Sequence, residues 1–210
     1  MNSPSIHSYS FGFTAGSLGV GYCQKLAQMR EELGSWDDVR KQGLGMNALQ
    51  QGKKSSSERV EREFRQRVET LSDRQLGLLA HGNSDVARPM ALLAAFKRYP
   101  VIFDFCVITL KPKLALFDTE VRPSDIERFF TDLEPAHPEI EKLTDSTKAK
   151  IRQVLLRILV EAGILSGSAP LVIAPLPLVP EAALAIAEES PSLLKGFLVE
   201  DAEIASYAQS

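Results

Sequence analysis

Cysteine is nearly missing from this chain: Cys23 and Cys106 are the two thiols in 210 residues. Two thiols so far apart speak against a disulfide scaffold and fit a reducing compartment. Histidine is scarce as well, with His7, His81 and His137 alone. Without a cysteine cluster beside them, a structural zinc site is not expected. Aromatic residues make up 7%, too few for a platform that stacks single-stranded bases. The net charge of -3 excludes whole-chain electrostatic attraction to nucleic acid, though not a local basic face. A clean membrane-spanning run is also lacking. Residues 101–110, VIFDFCVITL, are too few and contain Asp104. Residues 170–187, PLVIAPLPLVPEAALAIA, are nearly long enough to span. They carry Pro170, Pro175, Pro177, Pro180 and Glu181, however, and a helix in lipid must satisfy its own backbone bonds. The opening MNSPSIHSYS has neither a basic stretch nor an apolar one of secretory type. A cytoplasmic protein without a membrane span is the expectation.

Catalytic signatures are missing too. Gly16 and Gly21 have the G-x-x-x-x-G spacing of a phosphate loop, but Tyr22 stands where such a loop needs Lys. The dinucleotide fingerprint is absent, the order here being G-x-x-G-x-G. Close packing explains Gly12, Gly16, Gly19 and Gly21 better. No G-x-S-x-G elbow occurs, and neither cysteine has a histidine near it in sequence. His81 stands beside Gly82 at a helix end, where an imidazole can meet free carbonyls. His137, in a proline-flanked turn, is expected in solvent. The adjacent acids Glu31/Glu32, Asp37/Asp38 and Glu188/Glu189 diverge by about 100° on a helix, so none forms an acid–base pair by itself. The chain therefore reads as a non-enzyme with no cofactor and no metal.

What is present is helix. Thr14 can cap a helix with Leu18, Tyr22, Leu26 and Met29 on one face, ending near Gly34. Ser35 caps a short helix over 36–42, with Asp37 and Asp38 in its first turn. Ser55–Ser57 opens another that runs to Leu71, with Val60, Phe64, Val68 and Leu71 on its apolar face. Helices follow over 73–81 and 83–98, the second with Pro89 inside it. Residues 101–110 read as a buried helix or a strand. Lys111-Pro112 reads as a joint between an N-terminal domain over 1–112 and a C-terminal one over 113–210. Beyond it come helices over 125–133, 139–143 and 145–162, the last stopping at Gly163. Residues 171–179 are a strand pair or an extended loop, and two short helices close the chain. The fold class is all-α, in two small helical halves.

Charge is unevenly spread along these elements. Residues 21–100 hold 14 basic and ten acidic side chains, whereas 163–210 have Lys195 against six acids. Two helices carry outward basic stripes. In the first, Arg59, Arg62 and Gln66 lie opposite the apolar face, with Lys53 and Lys54 just ahead. A short helix, a glycine-containing connection and then a basic helix outline a helix-turn-helix. Glu58 and Glu69 also face outward there, as on an ordinary solvated face. In the second, Ser146, Lys150, Gln153 and Arg157 align at i, i+4, i+7 and i+11 with no acid between them, flanked by Lys148 and Arg152. Arg and Gln suit base edges, and Lys and Ser suit phosphates. Helix, short helix, polar-faced helix and extended stretch follow one another as in a winged helix. An amphipathic surface helix is the plainer reading of the same stripe.

Three segments together resemble the BrxA family of bacterial bacteriophage-exclusion (BREX) systems. They are YSFGFTAGSLG at 9–19, SSSERVEREFRQRVETLSDRQLGLLA at 55–80 and TDSTKAKIRQVLLRILVEAGIL at 144–165. The resemblance implies an all-helical cytoplasmic protein with helix-turn-helix elements that binds duplex DNA with little sequence preference. It also implies partnership with other BREX proteins, a methyltransferase among them, and no enzymatic activity. It carries over to Arg59, Arg62, Gln66, Lys150, Gln153 and Arg157 as helix-turn-helix positions; with Lys53, Lys54, Ser146 and Lys148 from the two stripes, these are the DNA-binding candidates. The alternative is a helical scaffold that bridges partner proteins through its acidic tail. No sustained heptad seam is present, which favours a monomer.

Overall fold

Side-chain chemistry sets most helix boundaries in the computed structural model, which describes residues 8–43 and 54–207. The chain enters through a 3-10 turn, Gly12–Ala15, and α1 spans Val20–Leu33. Thr14 does not cap α1, contrary to the sequence expectation. Its Oγ1 donates to the Phe11 carbonyl at 3.1 Å inside the 3-10 turn. The helix starts only after Gly19, which is left-handed at φ 61°. The reason is steric. A Cβ on Gly16 or Gly19 would lie 2.8 or 2.5 Å from the Phe64 ring, so bare backbone must pass there.

Gly34 ends α1 in the left-handed conformation, and the Ser35 hydroxyl accepts from the Asp38 amide at 3.1 Å to start α2, Trp36–Gly43. After α3, Lys54–Val68, Ser72 and Gln75 form a reciprocal capping box on α4, Asp73–His81. Asn83 caps α5, Ser84–Arg98, through the Asp85 amide. This helix is buried nearly all round from Val86 to Phe96, Pro89 included, and packs on α1, α3 and α4 as well as on elements near the C-terminus. A helix apolar on every side belongs at the centre of a core.

The apolar run beyond Tyr99 is helix, not strand. Here α6, Pro100–Asp104, passes into a π-helical turn, Phe105–Leu110, and then into α7, Lys111–Ala115. The Lys111 amide bonds back five residues to Cys106, so backbone continues helically through Lys111-Pro112. Next comes β1, Glu120–Val121, and α8, Pro123–Leu133, where the Asp125 carboxylate accepts from the Arg122 amide at 2.8 Å. Short α9, Pro138–Glu141, leads to α10, Asp145–Ala162, capped by Thr144 and stopped by Gly163 at φ 83°. A hairpin follows, β2 Leu165–Gly167 and β3 Leu171–Ile173. Its second strand also pairs with β1, so the antiparallel sheet has the order β1-β3-β2, with Val172 opposite both Glu120 and Ser166.

The chain closes with α11, Pro180–Ala187, a 3-10 segment, Pro191–Phe197, and α12, Asp201–Tyr207. The fold is thus mostly α with one small sheet. A single cluster of buried side chains joins residues on both sides of Lys111, from Tyr9 to Ile204. Phe197 meets Phe96 edge to face at 5.3 Å, and α11 lies on α4 and α5. Three of the six acids of the tail pair with bases elsewhere in the fold. Glu188 pairs with Arg74, Glu189 with Lys97 at 2.7 Å, and Asp201 with Lys111 at 2.6 Å. Among the described residues, no helix is long and apolar enough to cross a membrane.

Candidate nucleic-acid interface

Two helices carry the candidates, and each is held by its own apolar side. In α10, Ile151, Val154, Leu155, Ile158, Leu159 and Ala162 are buried. That leaves Ser146, Lys150, Gln153 and Arg157 exposed along the opposite side, as the periodicity requires. Lys150 Nζ donates to Gln153 Oε1 at 3.3 Å, and the hydroxyls of Ser146 and Thr144 are 3.1 Å apart. Arg157 has no ion-pair partner among the described residues. Lys148 does not extend this row. It is half-buried and bonds Glu134 at 2.7 Å. Arg152 leans the same way, 3.8 Å from Glu127 and over the Phe130 ring. Both therefore tie α10 to α8 and its C-terminal turn.

In α3, Arg59 and Arg62 are exposed and Gln66 is half-buried. Lys54 opens the helix, while Lys53 and the connection from α2 lie outside the described residues. Glu69 does not weaken the stripe, because Arg65 holds it at 2.5 Å and Glu61 at 3.1 Å. Burial pushes the Glu61 carboxyl above the usual range, and the Arg65 charge pulls it back only in part. Glu58 stays exposed.

The geometry of α3 adds a residue that the stripe did not include. Arg98, at the end of α5, donates to Gln66 Oε1 at 3.4 Å and lies over the Tyr99 ring, 5.2 Å from its centre. Arg59, Arg62, Gln66 and Arg98 line one pocket of about 190 Å³, whose other wall is Ser10, Gly12 and Ala15. Glu63 and Tyr99 form its floor. The Tyr99 hydroxyl donates to the Glu63 carboxylate at 2.5 Å, and Arg67 Nε donates to it at 2.9 Å. Arg67 is fully buried, so the Glu63 charge is balanced from inside. Tyr99 itself is pushed up by burial and by that carboxylate, and keeps its proton. The sequence signal for the floor was Arg67, a charge three residues after Phe64 on the apolar face. Arg98 left no such trace beyond its place in the last helical turn.

Both α3 and α10 pack against the 3-10 turn Gly12–Ala15. The two stripes thus flank one short segment, with no side-chain bond between them among the described residues.

The other residues weighed for chemistry are placed as follows. Cys23 and Cys106 are fully buried, and burial pushes both thiols up, Cys23 to about 12. His81 is exposed and meets Glu31 Oε2 at 2.6 Å instead of helix carbonyls. His137 is not in solvent. It is buried, stacked on Tyr9, and 3.0 Å from Glu139 Oε1. The imidazole is buried because Tyr9 covers it, stacking on the ring and donating its amide to Glu139. No group of His, Cys, Asp and Glu that could hold a metal occurs among the described residues.

Comparison with known proteins gives concordant matches. The family model described as BrxA matches residues 7–190. A "BREX protein BrxA" of Bacillus cereus (strain H3081.97) is 24% identical over 130 residues, covering 62% of this chain and 65% of that protein. One from Escherichia coli O9:H4 (strain HS) is 25% identical over 124 residues, 59% of this chain and 58% of that protein. The matched region therefore spans less than two thirds of these relatives. The crystal structure of an uncharacterized protein from Magnetospirillum magneticum superposes with a TM-score of 0.80 at 21% identity, over 91% of this chain and 98% of that one. At that identity the likeness concerns the fold.

Proposed function

The chain belongs to the BrxA family of BREX phage-defence systems, and from that premise we propose that it binds duplex DNA without catalysis and with little sequence preference. The observation that carries this reading is the α10 face. Ser146, Lys150, Gln153 and Arg157 stand exposed in one row with no acid between them, and Glu161, the next residue along that side, accepts from the Leu18 amide at 2.9 Å. Such a row offers donors to phosphates and to base edges at once.

The topology supports a winged-helix role for that row. The order is a helical run, β1, α8, α9, α10 and then the β2–β3 hairpin, with β3 lying between the other strands. In that arrangement α10 is the recognition helix and the hairpin its wing. On α3, Arg59 and Arg62 supply a second basic face, and α2–α3 are read as a helix-turn-helix. A binding role also suits the two buried thiols, which are far from the ionised form a nucleophile needs. We place the protein in the cytoplasm as a monomer, working beside other BREX components such as the methyltransferase.

The test is a labelled random duplex titrated across a salt series. Wild type is expected to show affinity that falls linearly on log–log axes. Lys150→Ala with Arg157→Ala should lower affinity and reduce that slope by about two. An unchanged slope in the double variant would remove α10 from the interface.

A second reading rests on a different observation. Leu116 and Phe117 are 79% and 93% exposed at the end of α7, which is unusual for large apolar side chains. That suits the scaffold alternative better than the acidic tail does, since Glu188, Glu189 and Asp201 are already paired within the fold. Phe117→Ser should abolish partner pull-down and leave duplex affinity intact if the protein is an adaptor.

A further inference from the structure

The pocket between α3 and the end of α5 has a composition that the two-stripe picture does not require. Its outer wall presents three guanidinium groups, Arg59, Arg62 and Arg98, and none has an ion-pair partner among the described residues. The one acid that lines it, Glu63, has both oxygens engaged by the Tyr99 hydroxyl and one of them by Arg67. Its charge is therefore offset from below, and the three outer cations are left unbalanced. Three cations that line one pocket, whose single acid is already engaged by Tyr99 and Arg67, leave an anion site.

The remaining lining groups donate as well. Gln66 uses its carbonyl oxygen for Arg98, which leaves its amide N–H groups for a ligand. Ser10 places an exposed residue with a hydroxyl at the rim. Arg98 is held by the Tyr99 ring, so it loses little freedom on binding. Gly12 is needed in the wall, because a Cβ there would lie 2.8 Å from the Tyr99 hydroxyl and 3.1 Å from Glu63 Oε2. The volume of about 190 Å³ is below the roughly 300–1,000 Å³ of sites that enclose a whole small molecule. It suits one tetrahedral group that projects from a larger molecule or arrives alone.

We propose that Arg59, Arg62 and Arg98, with Gln66, form a receptor for a single phosphoryl group. Forked guanidinium donors match the oxygens of phosphate in pairs, which isolated lysines cannot do. The proposal deepens the DNA-binding reading of α3, on which only its nucleic-acid source rests. The phosphoryl group is either a backbone phosphate of the duplex or a free phosphate or nucleotide.

The experiment uses the full chain with inorganic phosphate and, separately, a labelled duplex. Ionic strength is held constant with sodium chloride. Phosphate is expected to raise the thermal midpoint of wild type and to broaden its own ³¹P signal. Arg98→Gln and the pair Arg59→Gln with Arg62→Gln should each weaken phosphate binding about tenfold or more. Arg98→Lys, which keeps the charge but loses the fork, should fall between them and wild type. Lys25→Gln, on the exposed side of α1, is the control for a lost surface charge. Circular dichroism and an unchanged midpoint without phosphate establish that each variant is folded. If phosphate also displaces duplex beyond the effect of chloride, or if duplex affinity alone falls in the arginine variants and not in Lys25→Gln, the backbone is the source. If phosphate binds through these arginines but does not compete with duplex, the ligand is a free phosphoryl compound, whatever becomes of the DNA reading. If neither phosphate binding nor duplex affinity differs between the arginine variants and Lys25→Gln, the proposal is overturned, even where α10 still binds DNA.

Discussion

The ring of Tyr9 lies flat on the imidazole of His137, with centroids 3.9 Å apart and planes 16° from parallel. The Tyr9 hydroxyl donates to Asp104 at 2.6 Å, and its amide donates to Glu139 at 2.6 Å. One residue near the N-terminus thereby binds α6 and the start of α9 together. Tyr9→Phe keeps the stack and removes one hydrogen bond to a carboxylate, so it should cost about 1.5–3 kcal/mol. Tyr9→Ala removes the ring too and should cost about 3–5 kcal/mol. Urea unfolding of the two variants measures both, and equal losses would show that the ring contributes nothing.

The same contact predicts a pH dependence. Partial burial opposes ionisation of Glu139, but hydrogen bonds from the Tyr9 amide, from its own backbone and from His137 hold its carboxyl below the usual range. A carboxyl that ionises more readily in the folded state stabilises the fold fully above the ordinary value, about 4.3 for Glu. That contribution fades as pH falls through the ordinary value to the lowered one. Glu61 has the opposite sign, since its raised carboxyl favours the fold most when protonated. Between about pH 6 and pH 3, the midpoint of Glu139→Gln should fall less steeply than that of wild type. Parallel curves would show that Glu139 has no part in it.

The glycines before and within α1 make three separate predictions. Gly16→Ala sets a Cβ 2.8 Å from Phe64, and Gly19→Ala adds a left-handed residue to the same clash. Each should cost about 2 kcal/mol or more, Gly19 the more. Gly21 is exposed, with no atom within 4 Å of an added Cβ. Gly21→Ala should therefore stabilise the protein by about 0.5–1 kcal/mol through helix propensity. Thermal unfolding of all three orders them directly, and a costly Gly21→Ala would contradict the packing account.

Thiol chemistry separates buried cysteines from a reactive one. With both sulfurs shut away and held in the protonated form, Cys23 and Cys106 should resist a thiol-specific disulfide reagent for hours in the native protein. Both should react within minutes in denaturant. Rapid labelling of either thiol without denaturant would mean that its helix opens locally.

Much of the helical plan is legible because it rests on local chemistry. The helix starts at Ser35, Ser72 and Asn83 and the stops at Gly34 and Gly163 are written in neighbouring residues, while Thr144 caps α10 one residue ahead of the expected start. Where the outcome depends on distant chain, the sequence is mute. Thr14 is a plausible cap until Phe64, fifty residues on, takes the space beside Gly16 and Gly19. His137 looks solvated until Tyr9 covers it. Strand β1 has two residues and exists only through β3, some fifty residues later. The candidate site divides in the same way. The α10 row follows from periodicity alone, whereas Arg98 reaches Gln66 only because α5 packs on α3. Lys148 shows the limit of a helical wheel, since Glu134 draws it aside to a neighbouring element.

Arg67 has no contact with solvent and spends its donors on Glu63, on the Ser17 carbonyl at 2.5 Å and on the Phe13 carbonyl at 3.5 Å. Its guanidinium sits between the rings of Phe64 and Tyr99. Removing one partner of such a buried pair strands the other, at a cost of about 3–5 kcal/mol, whereas apolar replacement of both can be neutral. For a lineage accumulating single substitutions, that is a valley between two habitable sequences. Arg67 and Glu63 are thus expected to persist or vanish together among descendants of this chain. Neighbouring surface positions such as Arg59, with no such debt to a partner, remain free to drift under selection for what they touch outside the protein.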